Sequence, residues 1–140
     1  MTDGSTWWVE SGQMQRQFDY ARGVDGTFGA GVDTGLVQGT IAAAPAGEYR
    51  VELALVLRGT VTAGGTASIR AGTGATPPAQ RTLTVDVTAS PSPRTFLTAG
   101  VPFTWGGGDL TVSGSVIIGA GTTTIYAAGS YICATYLGPR

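Results

Sequence analysis

The clearest alternation of apolar and polar positions lies between Ala46 and Gly59, in the run AGEYRVELALVLRG. In a β-strand, successive side chains point to opposite faces of the sheet, so this spacing predicts one continuous apolar face. A helix would distribute the same side chains around its circumference. We therefore predict the central strand of a β-sandwich here. Its core-facing residues would be Tyr49, Val51, Leu53, Leu55 and Leu57.

The rest of the chain contains further short alternating runs, separated by glycine-rich and proline-containing turns. No run combines a 3.6-residue period with the capping residues of an amphipathic helix. Two of the runs flank Gly64 and Gly65, a spacing that predicts a hairpin turning at the glycine pair. Roughly eight or nine short strands at this spacing are typical of a sandwich, jelly roll or barrel, so we predict an all-β, antiparallel fold.

The first 25 residues differ from the rest of the chain, because they hold two of the three tryptophans and both methionines while alternation is weak. We predict an N-terminal arm over residues 1–25, with short strands inside it, and a sandwich domain over residues 26–140. Large aromatic side chains in such an arm either pack on the flank of their own domain or dock on a partner. The candidate partner-binding residues are Trp7, Trp8, Phe18 and Tyr20.

Several predicted strands also carry apolar residues on the face opposite the core. Strands that are apolar on both faces are usually covered on both, and with no helix predicted the cover would be another subunit. Isolated exposed apolar residues are also ordinary, so this alternative stays open. If Tyr131, Cys133 and Leu137 face the core, the candidate subunit interface is Ala54, Val56, Ile117, Ile132 and Tyr136.

The composition narrows the classes of partner. The chain has 140 residues, enough for one domain with its own core, and only 12% are charged. A net charge of −1 argues against non-specific binding to nucleic acid, which needs a basic surface. The main apolar run is interrupted by Glu52 and Arg58, so no membrane span is predicted. The first residues carry the acidic side chains Asp3 and Glu10 and lack a basic region followed by an apolar one, so no signal peptide is expected.

The chain lacks histidine and lysine, and all eight of its basic residues are arginine. A serine triad therefore has no base, a phosphate-binding P-loop has no lysine, and a zinc site has almost no ligands. Cys133, the only cysteine, lies in an alternating strand and is expected to be a buried, inert thiol. Glu48 and Glu52 share a strand face with Cα atoms roughly 13 Å apart, too far for a glycosidase pair. We expect no enzyme, cofactor or metal site; calcium between loops stays open, although no D-x-D-x-D loop is present.

Two stretches resemble a known family. The run AAAPAGEYRVELALVLRG, with Gly47, Glu48 and Tyr49, resembles the C1q/TNF-like jelly rolls, in which a Pro/Ala/Gly turn precedes an alternating strand. The ending AAGSYICATYLGP resembles the terminal strand of phage virion proteins of that class. The likeness spans about Gly35–Pro139. The aromatic arm stands where the family has a collagen-like or coiled-coil stalk, which weakens a long-fibre role.

This resemblance implies a jelly roll that forms homotrimers, and a virion structural protein made in the host cytoplasm. The expected function is a capsid decoration protein on the head surface, bound through its arm to the lattice of the major capsid protein and stabilising the head. The first alternative is a receptor- or carbohydrate-binding tip of a tail fibre. It would use the loops at residues 72–78, 90–93 and 106–109, with Trp105 beside the last of them. The second alternative is an Ig-like adhesion module.

Overall fold

The computed structural model shows two packed antiparallel β-sheets and, over the residues it describes, no helix. It describes the backbone of residues 5–10, 13–87, 94–97 and 100–139, and the side chains of residues 16–87 and 100–139. The strands are β1 (Ser5–Glu10), β2 (Gln13–Ala21), β3 (Gly26–Gly29), β4 (Thr34–Ala44), β5 (Gly47–Gly59), β6 (Ala63–Gly72), β7 (Ala79–Val87), β8 (Arg94–Leu97), β9 (Val101–Trp105), β10 (Gly108–Ile118), β11 (Thr122–Ile125) and β12 (Tyr131–Gly138).

The strands form two sheets that we call sheet A and sheet B. Sheet A runs β1-β2-β12-β5-β11-β3, and β8 and β9 also pair with β5. Sheet B runs β4-β10-β6-β7. From β4 onwards the chain passes back and forth between the two sheets, which is the topology of a jelly roll. The predicted all-β jelly-roll class is therefore confirmed.

The prediction that β5 is the central strand is also confirmed. One edge of β5 pairs with β12 and β11, and the other edge pairs with β9 and β8. The predicted core-facing side chains are between 0% and 2% exposed, because the single apolar parity of the strand faces sheet B. The two sheets lie close together at Gly114 of β10, where a Cβ atom would overlap the side chain of Leu53.

The predicted hairpin turn at Gly64 and Gly65 is wrong. Both glycines lie inside β6, and the chain turns before them, at residues 60–62. Gly65 is a glycine for a different reason. A Cβ atom at this position would overlap the carbonyl oxygen of Ile117 on the neighbouring strand β10. The glycine therefore permits a close approach between strands, and it does not supply a turn.

The N-terminal segment differs from the predicted arm. Residues 13–21 form β2, which lies in sheet A between β1 and β12 and pairs with β12 from Arg16 to Ala21. The strand β1 pairs with β2 from Ser5 to Glu10 and lies at the edge of the sheet. The segment before residue 25 thus contributes a strand to the interior of sheet A, followed by a short link to β3.

Candidate interaction surfaces

Phe18, which the sequence suggested as an anchor for a partner, is a core residue of this chain. Its side chain is 1% exposed, and the guanidinium carbon of Arg16 lies 4.5 Å from its ring centroid. The pairing of Phe18 with Ala134 of β12 places it on the core face of sheet A. A buried ring has no surface to offer, so the assignment of Phe18 to a partner contact is corrected.

Tyr20 holds the edges of the two sheets together. Its ring occupies the space that a Cβ atom of Gly39 in β4 would need, and its hydroxyl donates a hydrogen bond to the carbonyl oxygen of Thr40 at 3.1 Å. The side chain is half-buried. The structure therefore favours the alternative in which the aromatic residues of β2 pack on their own domain.

The two tryptophans of the N-terminal segment lie in β1. Trp7 is opposite Arg16 in the strand register, and Trp8 is opposite Gln15. Their side chains lie outside the described residues.

The predicted interface residues of β12 are in the core, and the assumed parity of this strand is reversed. In the antiparallel register with β5, Ile132 is opposite Leu53, and residues that are directly opposite share a face of the sheet. Ile132 is accordingly 0% exposed. Tyr136 packs on Tyr49 with ring centroids 5.1 Å apart, and its hydroxyl donates to the carbonyl oxygen of Ala46. Ile132 therefore has no surface for a subunit contact, and Tyr136 is half-buried against the core.

Ala54 and Val56 do lie on the outer face of sheet A, as predicted, but this chain itself covers much of them. Ala54 is only 1% exposed, and Val56 is half-buried. The turn before β12 lies against Val56. The amide of Val56 donates a hydrogen bond to Oγ of Ser130 at 2.9 Å, and the Cγ2 methyl of Val56 lies 3.0 Å from the position that a Cβ atom of Gly129 would occupy. The cover that we assigned to another subunit is supplied here in part by residues 126–130.

Ile117 and Tyr131 are exposed on different faces of the molecule. Ile117 is 40% exposed on the outer face of sheet B, opposite Thr66 of β6. Tyr131 is 38% exposed on the outer face of sheet A, opposite Ala54. The five predicted interface residues are therefore not brought together. Tyr131 was missed because both parities of β12 are apolar, so only the register with β5 could have placed it.

Cys133 lies on the outer face of sheet A but is 2% exposed. Nε2 of Gln17 donates a hydrogen bond to its sulfur at 2.9 Å. Burial, with Asp19 nearby, raises the pKa of the thiol from 9.0 to about 12, because both disfavour a thiolate. The predicted buried cysteine is confirmed, and its chemistry is that of a neutral thiol.

Four acidic side chains are engaged in structural contacts. Asp33 forms an ion pair of 2.7 Å with Arg70, whose guanidinium also donates to Ser115. Asp25 accepts a hydrogen bond from the amide of Ala127 in the turn before β12 at 2.7 Å, and Asp109 accepts one from the amide of Ala43 in β4 at 2.9 Å. Glu48 accepts a hydrogen bond from the hydroxyl of Thr104 at 3.0 Å. Within the described side chains, no three acidic, histidine or cysteine residues cluster as metal ligands would.

Trp105, the aromatic candidate of the alternative sugar-binding tip, closes one end of the sandwich. It is half-buried, its indole nitrogen donates to the carbonyl oxygen of Gly108 at 3.1 Å, and its ring stacks on Phe103 at 5.9 Å between centroids. Both rings pack against the core.

In the described part of the chain, no helix is long and apolar enough to cross a membrane.

This topology is that of the TNF-like jelly rolls, and solved structures of that class are similar to it. Eiger, a TNF from S. frugiperda, aligns with a TM-score of 0.58 and 10% identity, over 89% of this chain and 93% of that chain. Murine APRIL aligns with a TM-score of 0.50 and 11% identity, over 81% of this chain and 98% of that one. These similarities support a TNF/C1q-like fold.

A viral protein is similar as well. A chain in the structure of infectious bursal disease virus aligns with a TM-score of 0.53 and 15% identity, over 92% of this chain and 37% of the viral one. At these identities the similarities establish the fold alone. No family model and no curated protein matches the sequence.

Proposed function

We propose that this protein is a non-enzymatic virion structural protein that decorates a phage capsid, binds the lattice of the major capsid protein and stabilises the head. Its jelly-roll fold is shared with TNF-like proteins and suits a binding protein without catalytic chemistry. A chain of infectious bursal disease virus has a similar fold, so this architecture does occur in virus particles. The resemblance of the terminal strand to phage virion proteins supports the same class.

The observation that carries the proposal is the placement of Trp7 and Trp8. They are consecutive residues of β1, at the edge of sheet A, and β2 fixes β1 to a folded domain. Aromatic residues dominate the binding energy of protein interfaces, and a strand that is already ordered loses less entropy on binding than a free arm. The capsid contact is therefore assigned to β1, while Phe18 and Tyr20 hold its support in place.

Binding to capsids that lack this protein tests the proposal. A double variant, Trp7→Ala with Trp8→Ala, should bind at least about 30-fold more weakly, which corresponds to ~2 kcal/mol for a pair of anchor residues. The matched control is Ile117→Ala, which removes an exposed apolar side chain from the outer face of sheet B, away from β1 and from the face of sheet A, and should bind as the wild type does. Capsid occupancy that is unchanged in the double variant would contradict the proposal.

We also propose that the protein self-associates as a homotrimer, as the family resemblance implies. The candidate contact is the outer face of sheet A around Tyr131 and Val56, whereas Ile132 and Tyr136 lie on the opposite, core-facing side of the sheet. Sedimentation equilibrium should give a mass that corresponds to three chains of 14.2 kDa or to a whole number of such trimers. Tyr131→Asp should lower that mass, because it places a charge in the contact. A monomer at all concentrations, both free and on capsids, would contradict the trimer.

A further inference from the structure

The described edges of the two sheets differ in how well they are protected against pairing with another strand. Natural proteins block such edges with proline, charges, bulges or very short strands. Pro102 lies in β9, and β7 carries Arg81 and Asp86. β4 has two irregularities in its register with β10, and β3 and β8 have four residues each.

β1 has none of these features. Its six residues pair with β2 without a break in register, and its sequence STWWVE contains no proline, glycine or lysine. Tryptophan, valine and threonine favour strands, and the only charge, on Glu10, lies at the end. The backbone edge of β1 that faces away from β2 is therefore a regular and almost uncharged template for a further strand.

We propose that this edge pairs with β1 of a second copy of the chain, in an antiparallel arrangement about a two-fold axis. An edge with almost no charge does not repel its own copy, and the position of Glu10 sets the direction. In a parallel, in-register pair, the two Glu10 carboxylates would lie side by side, which destabilises a strand pair. In an antiparallel pair centred on Trp8, Glu10 is instead opposite Thr6 of the second copy. Two-fold contacts of this kind are also the commonest way in which identical chains associate.

The pairing is independent of the proposed capsid contact. It uses the backbone edge of β1, whereas the proposed capsid contact rests on the residues Trp7 and Trp8. It is also separate from the trimer contact, which lies on the face of sheet A around Tyr131. Strand pairing would join sheet A of one copy to sheet A of another, and so would link trimers two by two.

Single cysteines introduced along β1 test this geometry on the whole chain. A residue on the two-fold axis lies opposite its own copy, within reach of a disulfide. A residue one position away is separated from its copy by about 8 Å, beyond the limit of ~7 Å between Cα atoms. Cys133 can remain in place, because its thiol is buried and its raised pKa keeps it unreactive. The variants are Thr6→Cys, Trp7→Cys, Trp8→Cys and Val9→Cys, with Thr66→Cys on the exposed face of β6 as the control.

Under mild oxidation, we expect a cysteine at one central position of β1 to give a disulfide-linked dimer on a non-reducing gel. The yield of dimer should be at least about 10-fold higher at that position than at its neighbours or in the control. Deletion of residues 1–12 should also halve the mass of the assembly in solution, because the new edge strand β2 carries Arg16 and Asp19. Equal cross-linking at every position, or none above the control, would overturn the proposal. So would a mass that the deletion leaves unchanged. These measurements need no capsid, so their failure is distinct from failure of the decoration function.

Discussion

Replacement of Phe18 by alanine measures directly whether the N-terminal segment belongs to the folded domain. The ring is 1% exposed and lies in the core cluster. Removing a buried phenylalanine ring costs about 3–5 kcal/mol, since the transfer free energy is lost and a cavity remains. Loss of the Arg16 guanidinium above the ring adds up to ~1 kcal/mol. For a domain of this length, the loss of core packing corresponds to a fall in Tm of roughly 10–17 °C.

Urea denaturation followed by circular dichroism gives the free energy of unfolding without any partner. The matched control is Asp19→Ala, which changes an exposed side chain on the neighbouring position of β2 and should alter stability by no more than about 0.5 kcal/mol. If Phe18→Ala costs less than about 1 kcal/mol, the ring is not in the core. The prediction of an independent arm over residues 1–25 would then stand, and our placement of β2 would be refuted.

Three further predictions concern the packing and chemistry of the sandwich. In urea titrations, Gly114→Ala should lower the free energy of unfolding by about 1–3 kcal/mol, because the added methyl group overpacks the core. Gly35→Ala is the control: there is open space around Gly35, so the free energy of unfolding should stay unchanged or rise by up to ~1 kcal/mol. Ser130→Ala should cost about 1–3 kcal/mol in the same assay, because the Val56 amide loses its acceptor. Cys133 should react with a thiol reagent at pH 8 only in denaturant. The pKa of the Cys133 thiol is raised from 9.0 to about 12 in the folded protein, so the neutral thiol stabilises the fold below pH 9 and this stabilisation declines towards pH 12. Between pH 9 and pH 12, the free energy of unfolding should therefore fall more steeply for the wild type than for Cys133→Ala.

The strand β5 could be predicted from the sequence because its two parities differ in kind. One parity is wholly apolar from Tyr49 to Leu57, and the other carries Glu48, Arg50, Glu52 and Arg58. Burying the charged parity would be costly, so only one orientation is stable. In β12 both parities are apolar or small, and local pattern offers no preference. There the long-range register with β5 decides which face is buried.

The burial of Phe18 and the role of the glycine pair could not be predicted, for a related reason. Phe18 and Tyr20 share one face of β2, but the polar residues Gln17 and Asp19 beside them make the segment look exposed. Only the pairing of β2 with β12 shows that Phe18 and Tyr20 pack inward. Gly65 has the composition of a turn, yet it is required by the backbone of β10. The sequence predicts the buried face of a strand well when the residues of that strand alone decide it. It predicts burial less well where a neighbouring strand that is distant in the chain decides which side chains are buried.

The central claim is that this protein decorates a capsid and contacts it through β1. A cryo-EM map of the phage particle that encodes it would test that claim most directly. We predict density for the jelly roll on the outside of the head, with β1 against the major capsid protein. Density at the tail tip would contradict the claim and favour a receptor-binding protein.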